Sequence, residues 1–218
     1  MRRINRRELK QIWQKVPVDY YEKGIKINIG QRLWYTTKLA TIKKISGDLR
    51  PLRILDIGSN GGNLTAKIAK FYPKAKIFGI DIYDKAVKYA QKKYPGVHFQ
   101  TADAQRLPFR NESFDLIFCL ETLEHIVSPS KALKEIKKCL KKDGRAIISM
   151  DTGNFFFNLI WFFWTRVGRG RVWQDSHLHR FNYQKLKKKI IDEGFLIEKE
   201  ITSHLGMEVT FRIKKNDH

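Results

Sequence analysis

Cysteine is scarce in this chain: Cys119 and Cys139 are the two among 218 residues. A disulfide framework needs a dense, even set and a zinc site needs paired spacings, so this usage excludes both and points to a reducing, cytoplasmic compartment. Long apolar runs are missing too. No stretch reaches the roughly 18 apolar residues needed to span a bilayer, and the basic start MRRINRRELK lacks the apolar segment of a signal peptide. No internal repeat and no low-complexity linker divides the chain, and 25.7 kDa suits one domain with decorations. Acidic residues are outnumbered: 22 Asp and Glu face 43 Lys and Arg, for a net charge of +21. Such a field favours nucleic acid, anionic membrane surfaces or acidic substrates. Ordinary solvated helix faces account for part of it. In KALKEIKKCLKK (131–142) the lysines oppose a stripe of Ala132, Leu133, Ile136, Cys139 and Leu140. Hydrophobic residues make up 42%, enough for a core, which excludes wholesale disorder.

What is present is an alternation. Residues 1–50 read as a helical, partly irregular cover rich in aromatics and lysines, and Pro51 ends it. Apolar runs then predict strands at 53–57, 76–80, 97–101, 113–120 and 145–150, separated by helical periodicities at 63–72, 84–94 and 131–142. Asp84 is the expected N-cap of the second helix, Ser128-Pro129 opens the third, and Gly144 is its expected left-handed C-cap. After an insert at 151–175, a helix capped by Asn182 and closed by Gly194 leads into two strand runs, 195–201 and 207–213. Strands alternating with helices predict a doubly wound, Rossmann-like, mostly parallel seven-stranded sheet. The two last strands, with no helix between them, predict an antiparallel hairpin at one edge. The domain so defined runs over 51–218.

LDIGSNGGN (55–63) joins the first strand to the first helix, where glycines permit positive φ and a helix N-terminus offers free N–H groups. Its spacing, Gly58, Gly61 and Gly62, does not fit the dinucleotide pattern G-x-G-x-x-G. It resembles instead motif I of class I methyltransferases, with Asp56, Gly58 and Gly62 in register and Asn60, which tolerates the left-handed region, in place of a middle glycine. Asp81 at the end of the second strand, Asp103-Ala104 after the third, LPFRNESFDLIFCLETLEHI around the fourth and LKEIKKCLKKDGRAIIS after it continue the resemblance in order over 53–150. It implies S-adenosylmethionine as cofactor, held by Asp56, Gly58, Ser59, Asn60, Gly62, Asp81, Ile82, Asp103, Ala104 and Leu120. Asp81 would accept from both ribose hydroxyls, and Asp103-Ala104 would meet the adenine amino group.

At the carboxyl end of the fourth strand, where such sheets bind ligands, ETLEHI groups Glu121, Glu124 and His125. In many relatives these residues simply line the site. Glu-x-x-Glu-His also resembles two metal-dependent groups, the ubiquinone-biosynthesis O-methyltransferases and the enzymes that methylate small-RNA 3′ ends. That likeness implies Mg²⁺ or Mn²⁺ on Glu121, Glu124, His125 and His179, with His177 nearby, polarising a hydroxyl. His125 is the expected base or metal ligand.

In the insert, Phe155 to Trp164 contains one polar residue, Asn158, and Arg166, Arg169 and Arg171 follow. Ten helical residues reach about 15 Å, half a hydrocarbon core, so this segment cannot span a membrane. It suits an interfacial element on anionic lipid, or a lid or dimer surface. The expectation is O-methylation of a hydrophobic or lipid-linked small molecule by a cytoplasmic protein peripheral at the membrane. RNA ribose 2′-O methylation stays open because of the charge. Base methylation is disfavoured, since no Asn-Pro-Pro-Tyr type motif follows the fourth strand and no Pro-Cys nucleophile exists. A cofactor-binding scaffold without catalysis is the non-enzymatic alternative.

Overall fold

The computed structural model describes residues 13–166, 168–173, 178–179 and 182–216. Helices α1 (Tyr20–Ile27) and α2 (Ile29–Ser46) precede β1 (Arg53–Ile57). Then follow α3 (Asn63–Phe71), β2 (Lys76–Asp81), α4 (Asp84–Lys93), β3 (His98–Thr101) and β4 (Phe114–Leu120). A 3₁₀ turn at Leu123–His125 leads to α5 (Pro129–Cys139) and β5 (Leu140–Asp151). Helix α6 (Phe155–Arg166) and a 3₁₀ turn form the insert, and α7 (Tyr183–Asp192), β6 (Phe195–Ser203) and β7 (Glu208–Lys215) close the chain.

The seven strands form one sheet in the order β3-β2-β1-β4-β5-β7-β6. The first five are parallel, and β7 runs antiparallel to both β5 and β6. The expected terminal hairpin exists, but its second strand slots inside, leaving β6 at the edge. The reason lies in the burial. In β6 buried or half-buried residues alternate with exposed ones, as on a strand with one wet face, whereas the first four residues of β7 are all buried. Apolar layers cover both faces of the sheet. Leu133, Ile136, Leu186 and Ile190 of α5 and α7 pack on one face; Ile42, Ile45, Ile68 and Val87 of α2, α3 and α4 pack on the other. Removing each such side chain from water stabilises the fold by about 1.5–3 kcal/mol.

Two caps fall elsewhere than expected. Asp84 is the first helical residue of α4, and Tyr83 precedes it as the cap. Gly144 does not cap α5. That helix ends at Cys139, Leu140 already pairs with Phe114, and the next pair is Leu116 with Arg145, so KKDG is looped out of the strand as an irregularity. Burial of Leu140 pulls the chain into the sheet five residues early. Asn182 does cap α7, its side chain accepting from Lys185 N at 2.9 Å, and Gly194 turns with φ 79°. No helix among the described residues is long and apolar enough to cross a membrane.

The parallel register aligns the carboxyl ends of β1, β2 and β4, so that Ile57, Asp81 and Leu120 finish on one rim of the sheet. The strand order reverses there, which opens a crevice between the β1 and β4 loops.

Candidate functional site

The crevice begins at the β1–α3 turn. Gly58, Asn60 and Gly62 take φ of 81°, 46° and 78°, so the turn uses the left-handed region three times, and Asn60 fills the place where a glycine was expected. At Gly62 a side chain is sterically impossible as well, because a Cβ would stand 2.7 Å from a ring carbon of Phe99. The turn is tied to β2 by Gly58 N and Ser59 N, both donating to Ile80 O at 2.9 Å. Asn60 N donates to Asp81 Oδ2 at 2.8 Å and Tyr83 N to Oδ1 at 2.9 Å. Burial pushes the Asp81 carboxyl up while these N–H groups pull it down. A carboxylate offers about four acceptor sites, so Asp81 keeps capacity for a further donor beside these backbone groups. Asp103 Oδ1 accepts from Gln105 N at 2.9 Å, on the same wall as Ala104 and Ile82.

Asp56 plays a different part from Asp81. It is 3% exposed and accepts from the Thr65 hydroxyl at 2.5 Å, which anchors the first turn of α3 to β1. Burial pushes its carboxyl up to about 7, against the lowering effect of Thr65.

The turn and the space beyond it form one cavity of about 860 Å³. That volume falls at the upper end of small-molecule sites, which run to about 1,000 Å³. Leu120 and Glu121 of the β4 end, α1 and α2, and Phe157, Ile160 and Trp161 of α6 enclose it. His125 lies on this wall with its ring edge-on to Trp13 (centroids 4.9 Å) and tilted against Trp173 (6.3 Å). Tyr20 packs edge-to-face on Trp173 at 5.4 Å. The aromatics of the insert and of the segment before α1 thus meet over the site.

The acidic group at the β4 end is engaged by a lysine. Lys38 Nζ of α2 stands 2.6 Å from Glu121 Oε2 and 3.3 Å from Glu208 Oε1, so an ammonium bridges these two carboxylates. Trp34 Nε1 donates to the other Glu121 oxygen at 3.3 Å. The Nε2 of His179 is engaged with Val127 O at 3.2 Å, and its backbone N–H donates to the carbonyl of Glu124. Among the described residues no group of three or more His, Cys, Asp and Glu is placed to hold a metal. Of the expected Glu121, Glu124, His125 and His179 set, Glu121 is thus paired with Lys38 and His179 with Val127; His177 lies outside the described residues. Glu124 is 2% exposed, and burial, then Asp151, push its carboxyl well up. Asp151, at the end of β5, is pushed to about 7 by burial first and by Glu121 next.

Several site residues escaped the sequence reading. Lys38 and Trp34 belong to a region with no recognisable motif, and their partner Glu121 is more than 80 residues away. His204 stacks on Trp34 (3.9 Å), its Nδ1 lies 2.9 Å from Glu208 Oε2 and its Nε2 2.8 Å from Trp34 O. It opens a turn in which His204, Leu205 and Gly206 all have positive φ. Asp151 did carry a signal, being an acid at the carboxyl end of a central strand.

Residues 55–148 match the family model described as a methyltransferase domain. The demethylmenaquinone methyltransferase of Chlorobaculum parvum is 32% identical over 106 residues, 49% of this chain and 43% of that protein. The ubiquinone biosynthesis O-methyltransferase of Coxiella burnetii is 30% identical over 111 residues, 49% of this chain and 47% of the other. The chain thus spans less than half the length of these relatives. Among solved structures, a SAM-dependent methyltransferase of Thermotoga maritima superposes with a TM-score of 0.74 at 21% identity, covering 95% of this chain and 99% of its own. One of Aquifex aeolicus gives 0.68 at 17% identity over 88% and 97%. At those identities the likeness is one of fold.

Proposed function

We propose that this class I methyltransferase domain moves the methyl group of S-adenosylmethionine to an oxygen of a small, hydrophobic or lipid-linked acceptor. The observation that carries the reading is the continuous cavity. One end is the left-handed Gly58–Gly62 turn facing Asp81, suited to a nucleoside; the other is an aromatic chamber open to it. The names of the relatives, which act on quinone precursors, support an apolar acceptor.

In the step itself the acceptor oxygen attacks the sulfonium methyl in line. The O–C bond forms, the C–S bond breaks with its electron pair going to sulfur, and the acceptor proton passes to a base. Products are a methyl ether and S-adenosylhomocysteine. The protein's part is alignment and proton removal. His125, on the chamber wall between Trp13 and Trp173, is our choice for the base.

The outer face of α6 supports contact with an anionic membrane. Phe155 is 74% exposed, Phe156, Leu159 and Phe163 are also exposed, and Arg166 follows them. RNA is the second reading, favoured by the +21 charge. The carboxylates along the cavity repel phosphate, so we rank it below the apolar acceptor.

Calorimetry with S-adenosylhomocysteine tests the cofactor assignment, with Asp81→Ala as the variant. Loss of hydrogen bonds to a charged group costs about 1.5–3 kcal/mol each, so affinity should fall at least about tenfold. Equal affinity in wild type and variant would reject the assignment.

A further inference from the structure

The chain is strongly basic, but its cavity is not. Among the described residues, eight of the 22 acidic side chains line this one cavity, against Lys38 alone of the 43 lysines and arginines. Most of these acids have a duty already given. Asp56, Asp81 and Asp103 belong to the cofactor end. Asp19 pairs with Lys23 at 2.7 Å, and Glu22 with Lys26 and Lys93. Three remain around the chamber: Glu121, Glu124 and Asp151. Lys38 answers Glu121, and also Glu208 behind the wall.

Glu124 is the unexplained group. It is 2% exposed, and its Oε2 has no hydrogen-bond partner among the described residues. Asp151 and Glu121 raise its cost of ionisation further. A buried carboxyl with one oxygen left without a partner costs stability that an apolar side chain would not. A ligand that brings a positive charge removes the cost. The same chamber is walled by aromatic faces, among them Trp13, Tyr21, Trp161 and Trp173. Carboxylates beside aromatic faces are the chemistry that holds organic ammonium groups, through ion pairing and attraction to the ring quadrupole.

We propose that the methyl acceptor is an organic cation, an apolar molecule whose protonated amine seats between Glu124 and Asp151 and the aromatic wall of the chamber. This rests on the reading that the chamber receives the acceptor. The amine anchors the molecule and a separate oxygen is methylated, so the transfer step keeps the balance written above. The cofactor's sulfonium is itself a cation, and a test must separate the two charges.

The full chain saturated with S-adenosylhomocysteine, whose sulfur is neutral, makes that separation. It would be titrated by calorimetry with three phenols that differ only in their tails: tyramine, 4-ethylphenol and 4-hydroxyphenylacetate. Tyramine should bind about tenfold more tightly than 4-ethylphenol, and the carboxylate should bind most weakly. Glu124→Gln and Asp151→Asn, each near-isosteric, should bring tyramine towards the affinity of 4-ethylphenol. S-adenosylhomocysteine binding, measured on each variant, reports that the fold stands. Tyramine binding no better than 4-ethylphenol, including no detectable binding of either, overturns the proposal, as does a tyramine preference that survives both substitutions. Failure of wild type to bind S-adenosylhomocysteine would instead overturn the methyltransferase reading.

Discussion

Lys38 shows how much one side chain can carry. It is 5% exposed, faces two carboxylates from β4 and β7, and ties the helical cover to the sheet. The carboxylates hold its ammonium in the charged state despite burial. Lys38→Met keeps the length and apolar stem but leaves Glu208 buried without that partner. Removing one member of a buried pair costs about 3–5 kcal/mol; thermal melts of the two proteins should differ by many degrees, and equal melting would refute the role. Asp56 gives a pH signature of the opposite kind. Its folded carboxyl titrates at about 7, above the ordinary value of 3.8, so the folded state holds the proton more tightly than the unfolded one. Stability is therefore unaffected well below 3.8 and is lost progressively as pH rises from there to about 7. Asp56→Asn retains an acceptor for Thr65 and removes this loss. The melting temperature of the variant should rise relative to wild type between pH 4 and pH 7; a gap constant with pH would reject it.

Among the elements, α6 is the one whose surface departs most from that of a solvated helix. Asn154 caps it, its side chain accepting from Phe157 N at 2.8 Å, and Phe157 and Thr165 are the buried residues that fix it to the domain. Trp161 stacks on Phe157 at 5.5 Å and belongs to the inner face. The outer face offers Phe156, Leu159 and Phe163. Each such side chain contributes about 1.5–3 kcal/mol on burial in an interface, and each arginine near anionic headgroups about 1 kcal/mol. Replacing Phe156, Leu159 and Phe163 by serine should abolish flotation with anionic vesicles and leave S-adenosylhomocysteine affinity unchanged. Wild-type protein that fails to float would remove the membrane from the proposed function. The glycine turn between β1 and α3 is the contrasting element, because its left-handed conformation was legible in LDIGSNGGN, although its tie to β2 was not.

At the scale of the molecule, charge is segregated: basic overall, acidic within the cavity. With Lys38 seated on Glu121, methyl transfer should proceed in excess EDTA at the rate seen with added Mg²⁺ or Mn²⁺. A rate that collapses on chelation and returns with either ion would restore the metal reading.

The local signals of the chain determined the α/β alternation, the left-handed glycine turn and the acids at the ends of β2, β3 and β4. Each depends on neighbours within a turn or a strand, where periodicity and φ preference act directly. Strand order within the final pair, the loss of the Gly144 cap to the sheet and the engagement of Glu121 were decided by tertiary structure. Trp34 and Glu121 are 87 residues apart, and Trp34 and His204 are 170 apart. Only closure of the sheet and packing of α2 across its rim bring those groups within bonding distance. Glu-x-x-Glu-His reads as a metal motif when its residues are alone. In the fold Glu121 meets a lysine 2.6 Å away, an ion pair that no local pattern could have announced.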